Sequence, residues 1–375
     1  MKILYLTTAI ENGDYNSLLN KGYRLSNPSN QNFHDKMIKA LALGNDVSVI
    51  SLVPSLENDY TLTDKGIYRY VNYHGALFNR LGGRKRKMLK IAKAIERKGL
   101  DIVLFDSLNL QIGEAALALG KQFSLPVVSL VTDNPENLAK TPRIFVSNVK
   151  SHVNSSTGVL ALSDGLLKAF NVESKPHFVF PGLVEKPTLL KPLFAPKSYF
   201  YFGGALLERY GIIDLIKAYL ATNPDYDLVL AGHAGESETF NRLIHSNPRI
   251  HFLGQVSKEE NYTLEAYAAL LINPRPFESK LDQESVPSKL LEYLESGTPI
   301  VSTPHTALKK EYPDDIAWLE GSGEKLITTF FQSHLNPDKK LINLVENHAA
   351  ERLYATYGVE ALGKKIQDFL HSLKA

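Results

Sequence analysis

The sequence predicts an α/β protein built from two doubly wound parallel sheets. Three observations support this prediction: short apolar β-rich runs recur along the chain, helical patterns separate them, and the same rhythm restarts in the second half. The runs are apolar on both faces, which is typical of parallel strands that helices cover on both sides. Since 375 residues exceed the size at which one core keeps growing, we expect two domains.

Apolar runs of strand length mark the predicted sheets. In the first half they span 2–8, 46–53, 101–105, 125–132, 158–162 and 177–180. In the second half they span 199–202, 226–231, 250–253, 270–273, 299–303 and 316–319. A long polar stretch, 9–31, precedes a predicted helix at 33–43, and a terminal helix is predicted in 358–375 from apolar residues at helical spacing.

Three prolines, Pro187, Pro192 and Pro196, interrupt any periodic pattern and indicate an extended linker. We therefore predict an N-terminal domain at 1–185, a linker at 186–197, a C-terminal domain at 198–357 and a helix in 358–375 that can pack back on the N-terminal domain. Open α/β sheets bind ligands outside the carboxyl ends of their strands. A ligand cleft between the domains is expected.

Composition excludes several classes of protein. The net charge of +2 does not indicate a nucleic-acid binder, and the absence of cysteine excludes disulfides, thiolate zinc sites and cysteine nucleophiles. No signal-peptide pattern follows Met1 and no apolar run approaches about 18 residues, so a cytoplasmic location is expected. Motifs GxGxxG, HExxH, GxSxG and the P-loop are all missing, which argues against dehydrogenases, metalloproteases, hydrolases and P-loop enzymes.

The most informative segment is 272–303, INPRPFESKLDQESVPSKLLEYLESGTPIVST, which reads as strand, loop, helix and strand. Pro287 suits the first helical turn, the helix continues through 289–294, and Gly297 suits its end. The first turn, with Ser288 and Lys289, leaves backbone N–H groups that can bind an anion such as a diphosphate. Glu292, about one turn further, offers two acceptor oxygens to a vicinal diol such as a ribose. The alternative is an exposed helix residue paired with Lys289.

Glu284 and Glu292, separated by seven residues, resemble the E-x7-E signature of retaining glycosyltransferase family 4. The resemblance implies the GT-B arrangement of two Rossmann-like domains, and transfer of a hexose from a nucleoside diphosphate sugar to a hydroxyl acceptor with retention. It places Glu292 on the nucleotide ribose and Glu284 beside the transferred sugar, with Glu278 and Asp282 as alternative acids nearby. It implies no divalent metal, and a role in cell-surface polysaccharide or glycoconjugate synthesis.

The stretch 201–219, YFGGALLERYGIIDLIKAY, resembles the opening of the donor domain in that family. Gly203 and Gly204 allow close approach of a ligand to the backbone. Many members carry two cationic side chains here that neutralise the leaving diphosphate. This chain has Arg209, with Gly204 near the place of the other, and Lys289 is the candidate for the second charge.

Two further segments, LVLAGHAGE at 228–236 and RIHFLGQVS at 249–257, resemble the strand ends that frame the donor base and sugar. Gly232, Gly254 and Gln255 are the candidate contacts. A glycine after a strand is also ordinary turn chemistry.

The N-terminal half offers weaker candidates. Long loops are usually functional, so the stretch 9–31 suggests acceptor binding through the amides of Asn30 and Gln31. In the segment VVSLVTDNPENL, where family members often place a histidine, Asp133 is a candidate to bind an acceptor or donor sugar. A turn-starting aspartate before proline accounts for Asp133 equally well.

Basic residues are densest in 80–100, where nine Lys or Arg accompany a single acid, Glu96. On a helix, four of them form one stripe: Arg86, Lys90, Lys93 and Arg97. Met88, Ile91 and Ile95 form an apolar stripe. The helix is interpreted either as a solvated surface element or as a peripheral contact with anionic membrane, which suits a lipid-linked or glycan acceptor.

A catalytically inactive partner subunit of an active glycosyltransferase is the alternative function.

Overall fold

The computed structural model describes residues 1–23, 28–53, 61–72, 82–97, 99–138, 141–277, 284 and 288–374. The chain forms two compact units. The first comprises Met1–Glu185, Gln283–Val286 and Thr356–Ala375, and the second comprises Lys186–Asp282 and Pro287–Ala355.

The first unit contains a seven-stranded parallel sheet in the order β3-β2-β1-β4-β5-β6-β7. Its strands are β1 (Lys2–Thr7), β2 (Asp46–Leu52), β3 (Tyr68–Val71), β4 (Ile102–Asp106), β5 (Val127–Val131), β6 (Gly158–Ala161) and β7 (His177–Val179). Because β1 pairs with both β2 and β4, the direction of the strand order reverses beside β1.

Helices cover both faces of this sheet: α1 (Asn12–Asn20), α2 (Pro28–Ala42), α3 (Gly83–Glu96), α4 (Leu110–Phe123), α5 (Arg143–Asn154), α6 (Asp164–Phe170) and the terminal α14 (Val359–Ser372). Ile3 and Tyr5 of β1 pack on one side with residues of α2 and α14. Leu4 and Leu6 pack on the other side with residues of α3 and α4. The strands are apolar throughout because both faces are buried.

The second unit contains a six-stranded parallel sheet in the order β10-β9-β8-β11-β12-β13. Its strands are β8 (Tyr199–Gly203), β9 (Asp227–Ala231), β10 (Ile250–Phe252), β11 (Leu270–Asn273), β12 (Ile300–Ser302) and β13 (Ala317–Trp318). Its helices are α7 (Ile212–Thr222), α8 (Glu238–Ile244), α9 (Lys258–Tyr267), α10 (Ser288–Glu295), α11 (Thr306–Glu311), α12 (Glu324–His334) and α13 (Ala350–Tyr357). The predicted fold class, two doubly wound parallel sheets, is confirmed.

The structure corrects the prediction of one long loop at 9–31. Residues Asn12–Asn20 form α1, and α2 begins at Pro28 rather than at residue 33. The Glu11 side chain caps α1 by accepting a hydrogen bond from the Asp14 amide at 3.0 Å, and Tyr15 and Leu18 bury one face of the helix. Polar residues dominate the sequence of this helix because its other face is solvated.

Strand β3 was missed by the sequence analysis. It is a four-residue edge strand, YRYV, in which Arg69 separates two buried residues, Tyr68 and Tyr70. Such alternation over so few residues is weaker than the continuous apolar runs of the central strands.

Helix α3 presents its basic stripe to solvent. Its apolar stripe packs on the sheet through Met88, which is fully buried. The four stripe residues are all exposed: Arg86, Lys90, Lys93 and, just after the helix, Arg97. Arg84 instead lies inside and donates to the carbonyl oxygens of Val53 and Val71. No helix in the described ranges is long and apolar enough to cross a membrane.

Candidate functional site

The carboxyl ends of β8, β9 and β11 form the place in the second unit where a ligand is expected. Strand β8 lies between β9 and β11, so the strand order reverses beside it. In open α/β sheets, ligands bind at this reversal, outside the carboxyl ends of the strands. The loops that follow these strands, together with the start of α10, carry most of the predicted donor-site residues.

Two glycines, Gly204 and Gly232, allow the backbones of the loops after β8 and β9 to lie in direct contact. Gly204 and Gly232 have φ values of +135° and +134°, a region that is open to glycine and strained for other residues. A Cβ atom on Gly232 would lie 1.8 Å from the Gly204 carbonyl oxygen, and the Gly232 N–H donates to the Gly254 oxygen at 2.6 Å. Gly204 is exposed and Gly232 is half-buried, while Gln255 beyond them is exposed.

Lys289, the second residue of α10, reaches the end of β8. Its Nζ lies 3.5 Å from the centre of the Phe202 ring, a cation–π distance. Ser288 before it is exposed. The pKa of Lys289 is lowered to about 7, chiefly by burial and also by the positive charge of Arg275, while the carboxylates of Glu292 and Glu265 oppose this shift.

Two arginines flank the ring of Tyr210 in the same region. The Arg209 guanidinium carbon lies 4.9 Å from the ring centre, and that of Arg275 lies 5.5 Å from it. Arg209 is exposed in a short 3-10 turn, Glu208–Tyr210, that precedes α7. Sequence reasoning missed Arg275, although its position two residues after β11, at the strand-order reversal, was a usable signal. With Lys289, these side chains place three basic groups at this edge of the sheet.

Glu292 lines a cavity of about 230 Å³ within the second unit. Two more carboxyl groups, those of Glu265 and Glu295, line it as well, together with the ring of Tyr354. Glu265 is 1% exposed, and its Oε1 accepts a hydrogen bond from Asn261 Nδ2 at 2.7 Å. Burial and the neighbouring Glu292 charge raise the pKa of Glu265 well above its ordinary value.

Glu284 lies with the first unit, where two asparagine side chains bind its carboxylate. Asn134 Nδ2 donates to Glu284 Oε2 at 2.8 Å, and Asn137 Nδ2 donates to the same oxygen at 2.7 Å. Glu284 is 9% exposed and Asn134 only 2% exposed. Asn134 is itself fixed, because its Oδ1 accepts from the Glu136 amide at 3.0 Å. The carboxylate is thus held in one orientation.

Sequence reasoning selected Asp133 in this segment, but Asp133 is exposed and the next residue, Asn134, contacts Glu284. The DNPEN sequence after β5 was the available signal, since amide side chains suit a carboxylate partner. Glu278 and Asp282, the alternative acids, lie outside the described residues.

Gln31 has a structural role in the first unit. Its Oε1 accepts from the Ile10 amide at 3.0 Å and its Nε2 donates to the Ile10 carbonyl at 2.6 Å. Gln31 is 1% exposed. Both atoms of the side-chain amide therefore bond the backbone of one buried residue, Ile10, which corrects the expectation that this side chain reaches an acceptor. Asn30 stays a predicted contact.

A buried polar cluster lies at the strand-order reversal of the first sheet. The Tyr5 hydroxyl and His34 Nδ1 are 2.5 Å apart, and His34 Nε2 lies 3.5 Å from Asp106 Oδ2. Tyr5 and His34 are fully buried and Asp106 is 4% exposed.

In the described part of the chain, no group of three or more His, Asp or Glu side chains could hold a metal ion.

Comparisons with known proteins agree with this architecture. Residues 191–316 match the family model described as "Glycosyl transferases group 1". No curated protein matches the sequence. Sucrose-phosphate synthase from Thermosynechococcus elongatus is a similar solved structure, with a TM-score of 0.71, 15% identity, and coverage of 100% of this chain and 99% of that chain.

Two further solved structures are similar over nearly the whole chain. HepE from Anabaena, in complex with UDP, has a TM-score of 0.66 at 14% identity and covers 99% of this chain and 100% of that chain. The lipopolysaccharide outer core galactosyltransferase WaaB has a TM-score of 0.59 at 16% identity, with 99% of each chain covered. The family match in the second unit and the shared GT-B fold of two Rossmann-like domains support a group 1 glycosyltransferase.

Proposed function

We propose that this protein is a retaining hexosyltransferase of glycosyltransferase family 4. It transfers a sugar from a nucleoside diphosphate sugar to a hydroxyl acceptor, in cell-surface polysaccharide or glycoconjugate synthesis. The observation that carries the proposal is the cationic edge formed by Arg209, Arg275 and Lys289 at the strand-order reversal, on the sheet whose helix α10 bears Glu292. The Anabaena relative with this fold binds UDP and UDP-glucose.

The cationic edge accounts for binding and departure of the donor diphosphate. The first-turn N–H groups of α10 at Ser288 and Lys289 add to the positive potential. Negative charge on the diphosphate grows as the bond from the anomeric carbon to the phosphate oxygen breaks. Contacts with that charge therefore stabilise the transition state more than the bound donor.

The ribose and the sugar are assigned to the two glutamates. Glu292 accepts hydrogen bonds from the ribose hydroxyls, and Glu284 lies beside the transferred sugar. A bond forms from the acceptor oxygen to the anomeric carbon on the face that the phosphate leaves, and the departing phosphate oxygen takes the acceptor proton. Asp133 and Asn30 are the remaining candidates for acceptor contacts. Arg and Lys side chains neutralise the diphosphate, so the proposal includes no divalent metal.

The experiment is a thermal-shift screen of UDP-, GDP-, ADP- and dTDP-sugars, followed by NMR of the product to determine its anomeric configuration. Glu292→Ala is then expected to weaken donor and free nucleoside diphosphate together, by about 1.5–3 kcal/mol, because both ligands contain the ribose. Glu360→Ala, at an exposed position of α14, is the control. If the folded Glu292→Ala variant binds the nucleotide with unchanged affinity, the assignment of Glu292 to the ribose is wrong. A product with inverted anomeric configuration would exclude a retaining reaction.

Nucleotide binding without sugar transfer or donor hydrolysis would favour the second candidate function, a catalytically inactive partner subunit. The order imposed on Glu284 by Asn134 and Asn137 supports an active enzyme.

We also propose that the basic stripe of α3 contacts an anionic membrane on the cytoplasmic side, where a lipid-linked acceptor would be found. The exposure of all four stripe residues supports this contact, and each cation near an anionic surface contributes about 1 kcal/mol.

A further inference from the structure

Lys289 occupies space that a side chain on Gly204 would need. A Cβ atom built on Gly204 would lie 2.8 Å from Lys289 Nζ and 2.9 Å from Lys289 Cε. Both distances are shorter than a van der Waals contact, so a side chain at Gly204 would require the end of the Lys289 side chain to move. The ammonium group of α10 thus lies where a residue at the end of β8 would begin its own side chain.

We propose that the side chain of Lys289 on α10 supplies a cation to the donor diphosphate, in place of a side chain at position 204. When the donor binds, Lys289 takes up a proton. This inference rests on the proposed function and extends it by making donor affinity sensitive to pH near neutrality.

The position of Lys289 explains why it can titrate there. Its ammonium group lies over the Phe202 ring of β8, in a partly buried position. Burial lowers its pKa to about 7. Among the described residues, the charged groups that act on it are Glu292 on α10 and Glu265 on α9, which raise its pKa, and Arg275 after β11, which lowers it. A free protein near neutral pH therefore contains both the charged and the neutral form of Lys289.

The donor diphosphate favours the charged form, because it brings negative charge next to the ammonium group. The pKa of Lys289 is therefore higher in the complex than in the free protein, and a proton is bound as the donor binds. Affinity for the donor is greatest at pH values below the pKa of Lys289 in the free protein, and it falls as the pH rises through that pKa. Arg209 and Arg275 stay charged at every relevant pH, so they add no such dependence.

The expected size follows from the fraction of Lys289 that is charged. In the free protein the pKa of Lys289 is about 7. Lys289 is then charged in roughly half of the molecules at about pH 7 and in roughly 3% of them at about pH 8.5. Donor affinity is then expected to fall by roughly 15-fold over that interval, provided that the pKa in the complex lies above it.

The test is calorimetric titration of the wild-type protein with UDP-glucose, or with the sugar nucleotide that the thermal-shift screen selects, at several values between about pH 7 and 8.5. Both phosphates of a sugar nucleotide are esterified, so the ligand itself does not titrate in this range. Repeating each titration in two buffers of different ionisation enthalpy measures proton uptake, which is expected to approach one proton at about pH 8.

Three variants separate the charge from its titration. Lys289→Met removes the charge and is expected to weaken binding about tenfold or more near pH 7 and to abolish proton uptake. Lys289→Arg keeps a permanent charge and is expected to retain binding while losing the pH dependence. Lys340→Met is the control, since Lys340 also lies over an aromatic ring of the same unit, with Nζ 5.7 Å from the centre of the Tyr226 ring.

The wild-type protein and all three variants contain Glu265. Any pH dependence of donor binding that comes from its carboxyl group therefore persists in Lys289→Arg. Donor binding that is equal in wild type and Lys289→Met, or that keeps its pH dependence in Lys289→Arg, overturns this inference and leaves the proposed function intact. Failure of every nucleoside diphosphate sugar to bind the wild-type protein overturns the proposed function itself.

Discussion

Replacing Asn137 by alanine removes one of the two amide groups that hold the Glu284 carboxylate. The two hydrogen bonds measure 2.8 Å and 2.7 Å and end on the same oxygen, Oε2. A hydrogen bond to a charged group contributes about 1.5–3 kcal/mol. If Glu284 acts beside the transferred sugar, loss of its orientation raises the barrier to reaction, and about 1.4 kcal/mol corresponds to a tenfold decrease in kcat.

The two asparagines differ in surroundings, which sets the size of the expected effects. Asn137 is exposed, so water can replace its amide and Asn137→Ala is expected to lower kcat by about tenfold. Asn134 is 2% exposed. Asn134→Asp keeps the acceptor oxygen that caps the Glu136 amide but loses the donor and adds a like charge, so a decrease of about 100-fold is expected.

The assay is the initial rate of nucleoside diphosphate release at saturating donor, with kcat and donor KM determined separately. Asn241→Ala, at an exposed position of α8, is the matched control for loss of an asparagine. The same substitutions are then made in a Glu284→Ala background, where they should have little further effect because the asparagines act through Glu284. Wild-type kcat in both single variants, or equal losses with and without Glu284, would refute the positioning role.

Three other predictions concern separate parts of the chain. Arg209→Ala is expected to lower kcat more than it raises donor KM, because the guanidinium meets charge that develops on the leaving diphosphate; a change confined to the acceptor KM would assign it to another site. Cosedimentation with anionic vesicles is expected to decrease with added salt and on replacing the basic stripe by glutamine, and no binding at low salt would favour a solvated helix. Tyr5→Phe leaves the buried His34 side chain without its hydroxyl partner, so the free energy of unfolding measured in urea is expected to decrease by about 1–3 kcal/mol. An unchanged midpoint of denaturation would contradict this expectation.

Features encoded in neighbouring residues were predictable from the sequence. The continuous apolar runs predicted the central strands of both sheets, since a strand buried on both faces has no polar alternation. Gly297, with φ of +68°, ends α10 as its position after the helix predicted. Helix α1 and strand β3 were missed because each is short and buries only part of its surface.

The sequence by itself determined the fold class, the basic stripe of α3 and the chemical types of residue available to a site. Only the tertiary structure decided which of those residues meet. Asn134 and Glu284, which are 150 positions apart, are joined by a hydrogen bond. Lys289 lies against Gly204, and Gln31 is hydrogen-bonded to the backbone of the buried residue Ile10. The physical reason is that periodicity and capping depend on neighbours along the chain, whereas these contacts depend on how strand order and loop paths bring distant segments together.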